Sequence, residues 1–511
     1  MSSGPHSQVF LRRSRPPPAA GAVADDAPEA DASRRLADRA FAIFASLWAV
    51  AILFHQVAFP ARHVGFFRYA LTLAALWVLL RPSSVPRFVA LAAAQIVLVL
   101  YYLPNFITNH SLFSFFVNLT VLSAFGYLVV RGKSLVVERG ELLRTFAPAV
   151  RIELLILYFY AVLHKLNADF LNPATSCAMD HYTSLAGMYP FLPTGSWVSP
   201  LAIYGTLVIE AAIPLLLLFR RTRVAGVLLG LGFHYMLALN PQHRFYNFSA
   251  MVLAVYFLFL PFDYVGGLKP VLAEWRAGRW LLAHAESGAL RRNFNRAVLA
   301  VGMVLLALFA VGFRPGAYRW VSGGIIVMNR GLWMLYGLAV MLVFVLVVRR
   351  WDAVRATRGL DSMVLRPRWL VIFPLLVLFN GMSPYLGLKT ETSFAMFSNL
   401  ATEGGRWNHL LISERFRLSR YQDDLVEIEE SSIAYLQRVA NDGHLLPYLE
   451  LRRRMFERPS ASVTYVRNGE RRVVLQAGDD PELSQPLPLL VRKFYRFRSV
   501  DMTELGTRCS H

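Results

Sequence analysis

The chain has 511 residues, 55% of them hydrophobic and 17% charged, against roughly 45–50% and about 25% for an ordinary globular protein. Its 53 Lys+Arg outweigh 33 Asp+Glu, a formal charge of +20. Much of that excess flanks long apolar blocks, where anionic headgroups can neutralise it, and this argues against a nucleic-acid partner. Two cysteines exclude a disulfide-dense secreted scaffold, and no CxxC pair suggests zinc or thiol redox chemistry.

Residues 1–40 hold a Pro run at 16–18, an Ala/Asp/Glu-rich stretch and Arg34, Arg35 and Arg39. That composition makes a poor signal peptide and reads as a disordered cytoplasmic tail. Candidate spans follow at about 41–59, 66–80, 86–103, 111–130, 148–164, 199–219, 224–240, 248–263, 297–313, 331–348 and 368–386. Several fall short of the roughly 20 residues that cross a core about 30 Å thick, so tilt or re-entry is expected of them. Together, 41–386 reads as a mainly α, polytopic transmembrane helix bundle.

Charge orients it. With the amino terminus inside, inner loops carry Arg81 and Arg87, then Arg131, Lys133 and Arg139, then Arg220, Arg221 and Arg223, then Arg276, Arg279, Arg291, Arg292 and Arg296, and finally Arg349, Arg350, Arg355 and Arg358. The outer connections are less basic, with Arg314, Arg319 and Arg330 as exceptions. Positive-inside logic favours this orientation. From 387 onward the apolar blocks end, and Asn468-Gly469 sits between alternating residues at 461–477, the signature of a tight hairpin. An odd number of spans puts 387–511, a small mixed α/β domain, on the external or periplasmic side. Cys177 and Cys509 would then share an oxidising compartment, which permits a disulfide between them without requiring one.

Strong polar residues stand out against this background. His110 opens one span, Lys165 closes another, and His234 lies near the end of a third, so the topology brings all three to one leaflet. Lys165 could snorkel to the headgroups or, if desolvated, act as a base. His110 could anchor its helix, and His234 could satisfy a buried carbonyl. Arg151 and Glu153, two positions apart, point to different helix faces, so Glu210 or another span is expected to supply any partner. Glu210, deep in an apolar run, is costly unless protonated or paired. His243, Arg244, Tyr246 and Asn247 mark the outer mouth, a mixture able to orient an oxygen-rich head group. The histidine spacing shows no zinc pattern.

The stretches "TNHSLF" at 108–113, "YFYAVLHKLNADF" at 158–170 and "FHYMLALNPQHRFYNFS" at 233–249 resemble the vitamin K-dependent gamma-carboxylase and its bacterial relatives with a horizontally transferred transmembrane (HTTM) domain. The family's catalytic lysine corresponds to Lys165, and its two functional histidines to His110 and His234. The lysine motif departs from the family at Asn167 and Phe170, where Asp and Trp are usual, and His164 precedes the lysine. The resemblance implies that reduced vitamin K or another hydroquinone is deprotonated and reacts with oxygen, and that the resulting strong base removes the gamma proton of a peptide glutamate, whose carbanion captures carbon dioxide. Lys165 would be the base, His110 would hydrogen-bond the developing oxyanion, and His234 would position the quinone or the glutamate. His164, Asn167, Arg244 and Tyr246 are further candidates for substrate or quinone contact. The segment 380–412 is similar to the family's junction with its external domain, and Asn380, Trp407 and Asn408 are expected to line the mouth. Implied partners are membrane lipid and a secreted glutamate-containing peptide or protein, and no metal is implied. The competing readings are a protein of this fold that binds or transports a quinone or lipid without carboxylation, and an assembly factor for a secreted partner.

Overall fold

The computed structural model describes residues 27–58, 66–102, 107–240, 245–261, 263–311, 318–348, 362–502 and 509. His243, Arg244, residues 1–26 of the expected tail and the basic stretch 349–358 lie outside the described residues.

The apolar blocks form helices because a backbone in lipid must satisfy its own N–H and C=O groups. In chain order they are α1 (Ala27–Ala58), α2 (Phe66–Leu80), α3 (Val85–Val97, continued by a π turn to Tyr102), α4 (Asn109–Gly132) and α5 (Arg139–Leu163). Two short helices follow, α6 (Ala168–Leu171) and α7 (Cys177–Met188), then α8 (Val198–Leu218), α9 (Arg223–Leu237) and α10 (Tyr246–Phe257). Next come α11 (Asp263–Glu274), α12 (Arg276–Glu286), α13 (Ala289–Val311), α14 (Tyr318–Val348) and α15 (Ile372–Met382). Among the described residues, six helices are long and apolar enough to cross a membrane and five shorter ones are apolar. These eleven correspond one for one to the expected spans. The first helix begins at Ala27, ahead of the boundary at 41 read from hydropathy.

Burial separates centre from periphery. In α1, 67% of the most apolar window is buried, whereas in α8, α13 and α14 only 22% is. The outer helices instead expose side chains such as Met303, Val327 and Leu335, as apolar solvent on the outside of a bundle requires. The centre is aromatic: Phe41 meets Phe88 edge-on at 5.4 Å and Phe44 meets Phe146 at the same distance, an arrangement worth more than its buried area alone. The amino-terminal ends of α1 and α5 lie together, where Asp38 Oδ1 accepts from Gly140 N at 2.9 Å and Arg34 approaches Glu138 at 3.6 Å. That end of the bundle is basic. At the other end, His55 of α1 meets His110 of α4 and Asn247 of α10.

The carboxy-terminal region joins at this second end. It has β1 (Leu425–Ser431), α16 (Ala434–Asn441), β2 (Leu445–Pro447), α17 (Tyr448–Phe456), β3 (Val463–Arg467), β4 (Glu470–Val474) and α18 (Leu489–Phe494). The strands form one antiparallel sheet in the order β2-β1-β3-β4. Asn468 and Gly469 turn β3 into β4 with φ of 53° and 80°, the left-handed pair a two-residue hairpin needs. Val426, Ile428, Leu436, Leu451 and Tyr465 form its separate core. A disulfide joins Cys177 to Cys509 across 332 residues of sequence, tying the tail to α7.

Candidate functional site

Helix α5 ends at Leu163 with His164 as its C-cap, and the turn after it carries Lys165. Asn167 then caps α6 by accepting from Phe170 N at 2.8 Å, which fixes the direction in which the chain leaves the bundle. Lys165 is 6% exposed. Its ammonium donates to Ala161 O at 3.1 Å and to Glu210 Oε2 at 2.6 Å, and it stands 5.9 Å from the centroid of the Phe170 ring. Glu210, from the middle of α8, is thus the counter-ion of Lys165. A charged pair survives at this depth because each member removes the cost of burying the other.

The pair borders a cavity of ≈ 240 Å³. It is also lined by His234 from α9, 2% exposed, with Tyr158 of α5 hydrogen-bonded to its Nε2 at 2.6 Å. Tyr158 in turn shares a short hydrogen bond with Tyr256 of α10. Asn109 also reaches the lining, and most of the remaining wall is apolar, including Phe170, Phe233, Phe245 and Phe248. Phe394 and Phe397, which also line it, come from the segment after α15, where Thr392, Phe394, Phe397 and Asn399 all have positive φ, between 55° and 67°. Each left-handed non-glycine residue costs about 1–2 kcal/mol. Buried contacts hold this conformation: Phe394 N donates to Asn109 Oδ1 at 2.6 Å, and Cys177 N to Asn399 Oδ1 at 2.8 Å. The expense is concentrated where two aromatic rings close the cavity.

Of the three residues expected together, Lys165 and His234 share this cavity. His110 does not line it. Its Nε2 lies 3.0 Å from His55 Nδ1, 2.9 Å from Thr108 Oγ1 and 2.9 Å from Asn247 Nδ2, a polar cluster connected to the lining through the neighbouring Asn109 and Phe248. Tyr246 is fully buried at the start of α10 and is likewise absent from the lining.

Five other expected contacts lie instead in the seam between the lysine turn and the segment after α15. Tyr385 Oη is 2.8 Å from His164 Nδ1, and His164 Nε2 is 3.1 Å from Ser393 O, so Nε2 carries the proton and Nδ1 accepts. Asn167 donates to His164 O at 2.7 Å and to Ser398 O at 2.6 Å. Asn408 donates to Asp169 Oδ2 and to Asn399 O, both at 2.7 Å. Asn380 donates to Thr392 O at 3.0 Å and accepts from Lys389 Nζ at 2.6 Å, while Trp407 donates to Ile412 O at 2.6 Å. These bonds tie the turn that carries Lys165 to residues 385–408. Arg151, for its part, donates to Leu258 O and Ser362 O, and Glu153 accepts from Thr120 Oγ1 at 2.5 Å.

Tyr158, Tyr256, Asn109, His181 and His55 were not singled out from sequence. His55 carried a usable signal, a histidine at the same end of an apolar span as His110. The tyrosines carried none, since aromatic residues inside spans are common. Among the described residues, no cluster of three or more His, Cys, Asp or Glu could hold a metal ion.

This fold defines a multi-span membrane helix bundle with a carboxy-terminal α/β region. Residues 95–264 match the HTTM domain family, so the chain is a membrane protein carrying an HTTM domain that spans His110, Lys165, Glu210 and His234. No curated protein and no solved structure matches the chain.

Proposed function

We propose that this protein is a membrane-embedded, gamma-carboxylase-like enzyme that couples oxygenation of a reduced lipid quinone to carboxylation of a peptide glutamate. The observation that carries the reading is the cavity itself: an ionisable pair, Lys165–Glu210, and an imidazole, His234, facing an aromatic pocket at one end of an apolar bundle. Flat apolar rings suit a quinone head, and a bundle in lipid allows a prenyl tail to enter sideways. Lys165 can take a hydroquinone proton only by giving up its own, and Glu210 at 2.6 Å is positioned to receive it. The hydroquinone O–H bond breaks, Glu210 gains a proton, and the Lys165 ammonium remains beside the new oxyanion. Reduced vitamin K or another hydroquinone, oxygen and carbon dioxide are the co-substrates of this reading. His110, which does not line the cavity and is hydrogen-bonded to Asn247, does not act on the oxyanion directly.

We also infer that the basic end faces the cytoplasm and the carboxy-terminal domain the outside. Arg34, Arg131, Arg139 and Arg144 supply the positive face expected inside, and the Cys177–Cys509 disulfide suits an oxidising compartment. One observation favours the second reading, a quinone- or lipid-binding protein without carboxylation: Lys165 is already neutralised by a counter-ion. Incubation of the purified protein with reduced naphthoquinone, oxygen, labelled bicarbonate and a glutamate peptide separates the two. Labelling that disappears in Lys165→Ala supports the carboxylase, and quinone binding without oxygen chemistry supports the alternative.

A further inference from the structure

Two helices at the Lys165 turn are too short to finish their crossing. Helix α8 has 21 residues, about 31 Å, which matches the hydrocarbon core of a bilayer. Glu210 lies twelve positions after Val198, so the Lys165 ammonium bonded to it is about 18 Å along α8 from that end. Helix α5 ends beside this point, at Leu163, and therefore within the membrane. Helix α15 packs on α5 and has 11 residues after a 3₁₀ turn of four, Arg368–Val371, short of the roughly 20 that cross the core.

The segment after the sharp turn at Trp407 lies against both helix ends. His409 Nε2 donates to Leu163 O at 2.9 Å and Leu410 N to Leu166 O at 3.0 Å. Further on, Leu418 N and Ser419 N donate to Leu386 O at 3.0 and 3.2 Å, just past the end of α15. Between these anchors Leu410, Leu411, Phe416 and Leu418 are exposed, Leu411 by 70%. They continue the exposed row Ile372, Leu375 and Phe379 of α15, whose spacing of three and four places it on one lipid-facing side. The backbone under the two leucines is satisfied from within: Leu411 N and Ile412 N both donate to His409 Nδ1, at 3.1 and 2.9 Å, and Ile412 O accepts from Trp407 Nε1 at 2.6 Å. Water would make such provision unnecessary, whereas irregular backbone at membrane depth requires it. Arg417 is turned inward onto Thr402 O, Glu414 and Asp423, while Arg415 and Arg420 are exposed among Phe416, Leu418 and Tyr421.

We propose that residues 410–421 are a membrane-inserted segment whose partner is the phospholipid of the leaflet at this end of the bundle. Leu410 and Leu411 lie among the acyl chains beside the end of α5. Phe416, Leu418 and Tyr421 sit at the headgroup boundary, where aromatic and apolar side chains share space with cations, and Arg415 and Arg420 reach phospholipid phosphates. The segment thus completes the apolar thickness that α5 and α15 leave unfilled. Its bonds to Leu163 and Leu166 make the lipid contact and the Lys165 turn parts of one rigid piece, whatever ligand the cavity takes.

Two measurements on the full-length protein in phosphatidylcholine–phosphatidylglycerol nanodiscs test this. The first needs no substitution: wild type is irradiated with phosphatidylcholine bearing a diazirine on its acyl chain, and adducts are mapped by mass spectrometry. Adducts are expected on Leu410 and Leu411 as well as on Leu375 and Phe379. Adducts on the α15 residues with none at 410–418 overturn the proposal. The second places a bimane label at Leu411→Cys or Phe416→Cys, with Glu470→Cys in the β3–β4 turn as the aqueous reference. The Leu411 label is expected to lose most fluorescence to a nitroxide deep in the acyl chains, the Phe416 label to a nitroxide near the ester, and the Glu470 label to iodide in solution. Iodide quenching of the Leu411 and Phe416 labels equal to that at Glu470 overturns the proposal and leaves the surface to a protein partner. In the Arg415→Gln, Arg420→Gln background, quenching of the Phe416 label by the shallow nitroxide is expected to fall, and an unchanged value rejects the phosphate contacts.

Discussion

Removing one member of the Lys165–Glu210 pair should cost far more than removing both. The two groups lie 2.6 Å apart with side chains 8% and 11% exposed. At an effective dielectric near 20, their gross attraction is about 6 kcal/mol, most of which offsets the loss of hydration on both sides. Lys165→Met strands the Glu210 carboxylate, and Glu210→Leu strands the ammonium. Each should destabilise the bundle by about 3–5 kcal/mol. The double variant replaces an ion pair with apolar groups and should cost less than either single change, giving a coupling of at least about 2 kcal/mol. The assay is reversible unfolding in mixed micelles, followed for wild type, both singles and the double. Additive effects, with a coupling below about 0.5 kcal/mol, would refute the claim that these residues form one buried unit.

Three further outcomes follow from other parts of the molecule. In the carboxy-terminal domain, burial works to raise the Glu450 carboxyl, but the Arg454 and Arg453 guanidiniums outweigh it and bring it down to about 2 from an ordinary 4.5. The carboxylate therefore stabilises the fold by about 3 kcal/mol above pH 4.5, a contribution lost as pH falls toward 2; Glu450→Gln should remove it, and thermal unfolding from pH 7 down to pH 2 would show the variant's curve flatter than wild type. A Cβ at Gly381 would run into the Tyr160 ring where α15 crosses α5, so Gly381→Ala should destabilise by about 1–3 kcal/mol. A neutral effect on unfolding would mean that the helices approach less closely. Cys509→Ser should lower stability by about 2–5 kcal/mol in non-reducing buffer, with the difference from wild type vanishing once reductant is added.

Periodicity and hydropathy disclosed the elements and much less of their contacts. The eleven apolar stretches became eleven apolar helices because lipid leaves a backbone few alternatives, and Asn468-Gly469 specified its hairpin because both positions need positive φ. Lys165 and His234 could be placed at one end from span alternation alone. Which side chains touch was another matter. Glu210 was visible as an expensive charge, yet its choice of Lys165 depends on how α8 is displaced along α5, a quantity set by packing. His110 shares the leaflet but rotates into the His55 cluster. Asn167, Asn380 and Asn408 have mouth-like composition, but the strained segment 392–399 needed their hydrogen bonds and took them into the seam.

The central claim is that the Lys165 cavity performs oxygen chemistry on a reduced quinone. Its most direct measurement is epoxide formation from 2-methyl-1,4-naphthohydroquinone and oxygen by the purified protein, compared with Lys165→Ala matched for folding by the presence of the Cys177–Cys509 disulfide. The account predicts epoxide from wild type and a loss of about 10²-fold or more in the variant, the scale of a positioned proton-transfer group. Equal epoxide from both proteins, or none from a wild type that demonstrably binds the hydroquinone, would contradict it.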